Sequence, residues 1–346
     1  MTKGEDVRHY ILENLAKGEI AFLAAGHFGI TRQAVSQHLR KMVSEGLIVA
    51  SGNTRNRVYT LARLVEWSAA FVIESSLAED RVWFRDVQPR LGDAPENVVD
   101  IWQFCFTEIF NNAIDHSGGT EIHCEFYRTA LNTTITISDN GVGIFRKIQV
   151  AMGLIDERHA ILELAKGKLT TDPAHHTGQG VFFASRLLDF FGVRSGTAVF
   201  THGLHPDDWI YERPESPPGT SVLMSLNNHS RRTCKGVFDQ YSSPDADYGF
   251  TRTVIPVRLA RYGTEKLISR SQAKMLLARV DRFKTVVLDF EGIDVVGQSF
   301  ADEIFRVFAM EHPEILVLPL NAVPEVKKMI DAALDQKRLD EQNRML

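Results

Sequence analysis

A strand-like run over residues 133–139 (TTITISD) empties into Asn140-Gly141-Val142-Gly143-Ile144, and no other stretch limits the fold of this chain as strongly. Threonine and isoleucine alternate through the run, which is the period of a strand with one buried face. The carboxylate of Asp139 is therefore fixed at a strand end, and Gly141 and Gly143 let the backbone that follows pass close to a neighbour. Three more segments belong with it. The helix predicted over 97–117 carries Glu108 and Asn112 at i and i+4, hence on one face. His176-Thr177-Gly178-Gln179-Gly180 opens a further helix. Gly219-Thr220 begins a later strand. A lone Gly-x-Gly is common. These pieces on a helix, a strand end, a helix start and a strand start, in this order, are specific.

The ordered set resembles the GHKL ATP-binding fold of gyrase-type ATPases, heat-shock chaperones, sensor histidine kinases and anti-sigma-factor serine kinases, over residues 82–228. The resemblance implies ATP and Mg²⁺ as ligands. It implies Asn112 as the Mg²⁺ ligand, Glu108 as the general base or water-orienting acid, and Asp139 as acceptor from the adenine amino group. Gly141 and Gly143 would lie against the base, Thr220 beside the adenine, and Thr177, Gly178 and Gly180 at the phosphates. Residues 145–176 would form a lid whose Lys166 and Lys168 reach the phosphates. His116 ends the Glu108 helix and reads either as a cap on its last carbonyls or as a nucleotide contact. His175 and His176 lie beside the glycine loop and lack a third ligand for a metal. Glu108 and Asn112 together keep phosphoryl chemistry open, to water or to a protein side chain.

Ahead of this region, residues 5–17 place Val7, Tyr10, Ile11 and Leu15 on one helical face, and a short helical stretch from Glu19 to Ala25 ends in Gly26-His27-Phe28-Gly29-Ile30. Thr31 caps the next helix, which stops at Gly46. Ala34, Val35, Leu39, Met42 and Val43 point one way from it; Arg32, Gln33, Ser36, Gln37 and Arg40 point the other. An alternating hairpin follows with a basic tip at Arg55 and Arg57. This layout resembles the winged helix-turn-helix domains of bacterial regulators over residues 1–62. A recognition helix must present donors free of acids to base edges, and a wing needs arginine for phosphates. Charge agrees: residues 1–60 hold eight Lys/Arg and five Asp/Glu, net +3, on a chain of net −5, so the remainder carries −8.

Residues 62–98 predict a connecting helix over about 64–78, then a strand-like segment at 82–87, with 63–81 as the linker. Beyond Ser230 strand and helix patterns alternate, the rhythm of a sheet backed by helices. The stretch 286–305 (VVLDFEGIDVVGQSFADEIF) resembles STAS-like domains and, more distantly, anti-sigma-factor antagonists, over residues 235–340. In those antagonists an aspartate and the phosphorylated serine begin this helix; here Gly297 and Gln298 stand in their places. Ser299 comes one residue later and reads as a helix N-cap rather than a phosphate acceptor.

The fold expected is thus α+β and multidomain: a winged helix, a GHKL α/β sandwich and a STAS-like α/β domain. No apolar run is long enough for a transmembrane helix, and the start lacks the features of a signal peptide. Cys105, Cys124 and Cys234 form no ligand spacing and read as reduced thiols, so a cytoplasmic protein is expected. The function expected is an ATP-binding, DNA-binding bacterial regulator whose Mg-ATP domain controls domain arrangement. A protein partner at the STAS-like domain and a homodimer are both compatible with it. The alternative is an anti-sigma-type serine/threonine kinase acting on a partner protein. A sensor histidine kinase lacks its phosphorylation box here.

Overall fold

We describe the chain from a computed structural model that covers residues 3–53, 57–169, 178–203, 210–212, 218–242, 250–261 and 265–344. The N-terminal unit consists of α1 (Lys3–Asn14), α2 (Ile20–Phe28), α3 (Arg32–Ser44) and the antiparallel pair β1 (Ile48–Ser51) and β2 (Val58–Leu61). Val7, Ile11, Leu15, Ile20, Ala24, Val35, Leu39, Met42 and Ile48 form its own core. The Thr31 hydroxyl accepts from the Ala34 N–H at 3.2 Å and starts α3 as expected. The helix before it runs through Gly26 rather than ending at Ala25. It stops only at Gly29, whose φ of 62° no larger side chain adopts readily.

The central unit is a seven-stranded sheet in the order β3-β4-β5-β9-β6-β7-β8. Its strands are β3 (Val65–Val72), β4 (Glu121–Arg128), β5 (Asn132–Asp139), β6 (Phe190–Ser195), β7 (Ala198–His202), β8 (Ile210–Glu212) and β9 (Thr220–Asn227). Its helices are α4 (Glu79–Val82), α5 (Glu96–His116), α6 (Ile144–Met152), α7 (Glu157–Lys166) and α8 (Gly180–Leu187). Register places Phe126, Ile135, Met224 and Phe191 in one row across four strands, and all four are buried. The opposite face is polar: Ser138 Oγ lies 2.9 Å from Ser221 Oγ, and Thr134 Oγ1 lies 3.2 Å from Ser225 Oγ. An antiparallel sheet of this kind keeps one face dry and one wet.

Two expectations for residues 62–98 are overturned. The connecting helix is instead strand β3, paired along its whole length with β4. Its burial alternates, with Val65, Trp67, Ala69 and Phe71 turned inward, and a helix would scatter these four around its circumference. The strand-like segment at 82–87 is helical, as Val82 ends α4 and Trp83–Val87 continue as a π-helical turn. Val82, Trp83 and Val87 are buried while Phe84 stays 56% exposed. Strand periodicity would have buried Phe84 with Val82.

The C-terminal unit adds α9 (Cys234–Gln240), β10 (Arg252–Pro256), α10 (Arg270–Leu277), β11 (Thr285–Asp289), α11 (Gln298–Asp302), α12 (Ala309–Glu311), β12 (Leu316–Leu320) and α13 (Pro324–Arg344). Its strands pair in parallel in the order β10-β11-β12, joined by helical crossovers as parallel strands require. Helix α10 begins with a capping box, Ser269 and Gln272 exchanging side-chain and backbone bonds. Ser299 does not cap α11. The helix starts at Gln298, the Gly297 carbonyl accepts from Phe300 N and Ala301 N at 3.1 Å each, and Ser299 lies exposed within the first turn. The backbone of Gly297 approaches Ile268 too closely for a side chain, and the cap falls there, two residues before Ser299.

Candidate functional site

One cleft of about 400 Å³ opens between α5, the end of β5, α6, α7 and the start of α8. Helix α5 contributes Glu108 and Asn112 because its other face is committed to the core through Cys105, Phe106, Ile109 and Phe110. Strand β5 contributes Asp139 because Ile135 and Ile137 point into the core and the strand ends there. Strand β9 contributes Thr220, which lies four strands later in sequence and beside β5 in the sheet. Six sequence-predicted residues therefore line one cleft: Glu108, Asn112, Asp139, Gly178, Gly180 and Thr220. Gly141 and Gly143 stand on the turn that frames it. Thr177, His175 and His176 lie outside the described residues.

The Asp139 carboxylate is anchored from below. Its Oδ1 accepts from Gly141 N at 2.9 Å and Thr220 N at 3.2 Å. Burial pushes its pKa up, against the downward pull of those backbone bonds. The Thr220 hydroxyl accepts from Ile144 N at 2.9 Å and so ties β9 to the start of α6. Gly143 has φ 87° and a Cβ there would press against Ser195 Oγ. At Gly180 a Cβ would collide with Glu108 Oε2, so the first residue of α8 must be glycine for the carboxylate to sit where it does.

Three polar lining residues were not singled out from sequence: Asn111, Ser117 and Lys147. Lys147 lies in the first turns of α6, and its Nζ donates to the His116 carbonyl at 2.7 Å. The lysine thus caps the end of α5, the task sequence reading offered to the His116 side chain, while His116 itself lines the cleft. Only the position of Lys147 four residues beyond Gly143 could have drawn notice to it.

The two lid lysines are corrected. Lys166 is fully buried and bonds Glu163 Oε1 at 2.7 Å, Ala278 O at 2.8 Å and Met275 O at 3.3 Å. Lys168 donates to Arg282 O at 2.8 Å and lies over the Phe250 and Phe283 rings. Both ammonium groups face the C-terminal unit, because α7 is wedged between the central sheet and β10 and is buried over Ala160–Lys166. What α7 turns toward the cleft is Leu164.

On α3, Arg32, Gln33, Gln37 and Arg40 are exposed together and Ser36 is half-exposed, while Val35, Leu39 and Met42 are buried. Val43, expected inside, is outside. The Ser36 hydroxyl donates to the Arg32 carbonyl at 2.8 Å, and Arg32 stacks on Phe22 with 4.9 Å to the ring centroid. Arg57 is exposed at the foot of β2, and Arg55 lies outside the described residues.

Cys105 and Cys124 are buried and Cys234 is half-buried. Burial raises the Cys124 thiol to about 12, which keeps it protonated and unreactive. Among the described residues no helix is long and apolar enough to cross a membrane.

Residues 272–327 match the family model of a STAS-like domain of unknown function (DUF4325). The matched stretch runs from α10 to the first turn of α13 and includes β11 and β12. No curated protein matches the chain.

Proposed function

We propose that the cleft binds a nucleoside triphosphate with Mg²⁺, as its resemblance to the GHKL fold implies, and that the chain is an ATP-responsive DNA-binding regulator. One observation carries the reading. Four segments scattered from residue 108 to residue 220 converge on a single cleft. Their chemistry fits the ligand. A carboxylate held by two backbone donors suits an exocyclic amino group, and an amide oxygen on α5 suits a hard divalent cation. The glycines at 143 and 180 let the backbone pass close to Ser195 and Glu108, where a Cβ would collide. Bound Mg²⁺ would neutralise phosphate charge. Asn112 would hold it, Asp139 would orient the base, and Glu108 would take a proton from the attacking group. The N-terminal unit would meet DNA through the exposed face of α3 and the hairpin, and the STAS-like domain would offer a protein-contact surface.

A second reading, a serine/threonine kinase, gains one observation. Ser299 is exposed on the first turn of α11 rather than bound as its cap. Incubation with γ-labelled ATP, with separate readouts for free phosphate and labelled protein, tests both. Free phosphate that is lost on Glu108→Ala supports the regulator reading. Stoichiometric label on Ser299 supports the kinase. No binding and no turnover would refute the ATP site.

A further inference from the structure

The segment from Glu163 to Leu169 has two employers. Leu164 and Leu169 line the cleft, whereas Glu163, Lys166 and Lys168 reach the STAS-like domain. The Lys166 ammonium is 0% exposed and Glu163 3%. Lys166 closes on the carbonyls of Met275 and Ala278 at the C-terminal end of α10, where a helix favours a cation. Glu163 Oε2 faces Arg282 at 3.4 Å and Arg279 at 3.8 Å. Arg282 donates to the Lys168 carbonyl at 2.6 Å and accepts from the Lys168 ammonium at 2.8 Å on its own carbonyl, a reciprocal pair. The buried Thr253 hydroxyl donates to the Lys166 carbonyl at 2.7 Å. Leu169 N in turn donates to Gly178 O at 3.0 Å, two residues before Gly180 and its contact with Glu108. An unbroken series of bonds and contacts therefore runs from α10 to the acid in the cleft.

The geometry points to Glu163, Lys166 and Arg282 as positioning residues for the cleft. Through them the STAS-like domain fixes the wall at Leu164 and Leu169 and the start of α8 against Glu108. The cleft is complete only with that domain docked, and a partner that pulled on α10 would change its affinity for the nucleotide. This inference rests on the proposed ATP site for its affinity consequence and on the structure alone for its mechanical one. A buried ion pair costs much to desolvate and little to replace by apolar residues of like volume, whereas removing one partner strands a charge. Glu163→Leu/Lys166→Met is accordingly a variant that folds without the ionic contacts, and Arg282→Gln loosens them from the other side.

The test uses the full chain and two readouts. Hydrogen exchange without ligand is expected to accelerate at least tenfold at residues 163–169 and 178–182 in both variants, with α5 and β5 unchanged. Mg-ATP affinity is expected to fall at least tenfold in both, and Arg282→Lys is expected to restore part of it. Unchanged exchange in a folded variant overturns the inference, whether or not ATP binds. Faster exchange with wild-type Mg-ATP affinity overturns it too, because the contacts would then be structural only. A wild-type chain that binds no nucleotide refutes the ATP site, and the exchange arm still decides the mechanical claim.

Discussion

The half-buried Asp139 and the fully buried Lys166 are the two charges that decide most at the scale of single residues. Burial raises the Asp139 pKa, so the folded state resists its ionisation and loses stability as pH rises through the carboxylate range. Asp139→Asn removes that penalty and keeps an oxygen for Gly141 N and Thr220 N. Thermal unfolding should show a variant at least as stable as wild type at neutral pH, with a flatter pH dependence below it. Lys166 has the complementary sign. Burial is the largest influence on it and lowers its pKa to about 8, against the pull of Glu163. The folded state resists its charge, so the penalty is full below pH 8 and is relieved as pH rises toward the unfolded value of about 10.4. The wild type should gain stability relative to Glu163→Leu/Lys166→Met between pH 8 and 10, measured by denaturant titration. A constant difference across that range would contradict the burial of a charged lysine. Glu108→Ala should behave differently from either, keeping ATP and losing turnover about 10²–10⁴-fold, the worth of a positioned base. Loss of binding with normal residual turnover would contradict the role.

Among the elements, legibility followed how local the cause was. The α5, β5 and β9 pieces of the cleft were readable because each depends on its own periodicity, and the sheet brings them together without further instruction. Thr31 and Gly46 were readable because caps are written in one or two residues. Strand β3 was misread although Val65, Trp67, Ala69 and Phe71 alternate, because Glu66, Ser68 and Ala70 also suit a helix and only its pairing with β4 decides. Helix α7, whose Lys166 was expected to reach the phosphates, was misread for a related reason. Its seven consecutive buried residues need partners on every side, and one of those partners, β10, lies some 90 residues later. The cap of α11 was displaced to Gly297 by the nearby Ile268 backbone, again a distant cause. Ser299→Ala should therefore change stability by no more than about 0.5 kcal/mol, the range of exposed substitutions, rather than the roughly 1 kcal/mol of a lost cap. Chemical denaturation separates the two values.

For the whole molecule, charge and packing divide the labour. The first 60 residues carry net +3 and the remainder −8, and the N-terminal core shares no residue with the core that spans the other two units. The N-terminal unit thus has a core of its own, whereas the cleft and the STAS-like domain share one. On the proposed reading, a ligand would act on DNA binding only by favouring one placement of the units over another. Replacing Arg55 and Arg57 by alanine should weaken every DNA duplex about equally and flatten the salt dependence by about one to two units, as lost phosphate contacts do. Gln37→Ala should instead narrow the gap between the best site and random DNA. Absence of binding to any duplex would reassign the unit to protein contacts. Equilibrium calorimetry of Mg-ATP binding to the full chain, wild type beside Asp139→Asn, tests the ATP site most directly. Saturable one-to-one binding is expected, weakened by roughly 1–3 kcal/mol in the variant, the worth of a hydrogen bond to a charged group. Equal affinity in a folded variant, or no binding to the wild type, would contradict the assignment of this cleft to ATP.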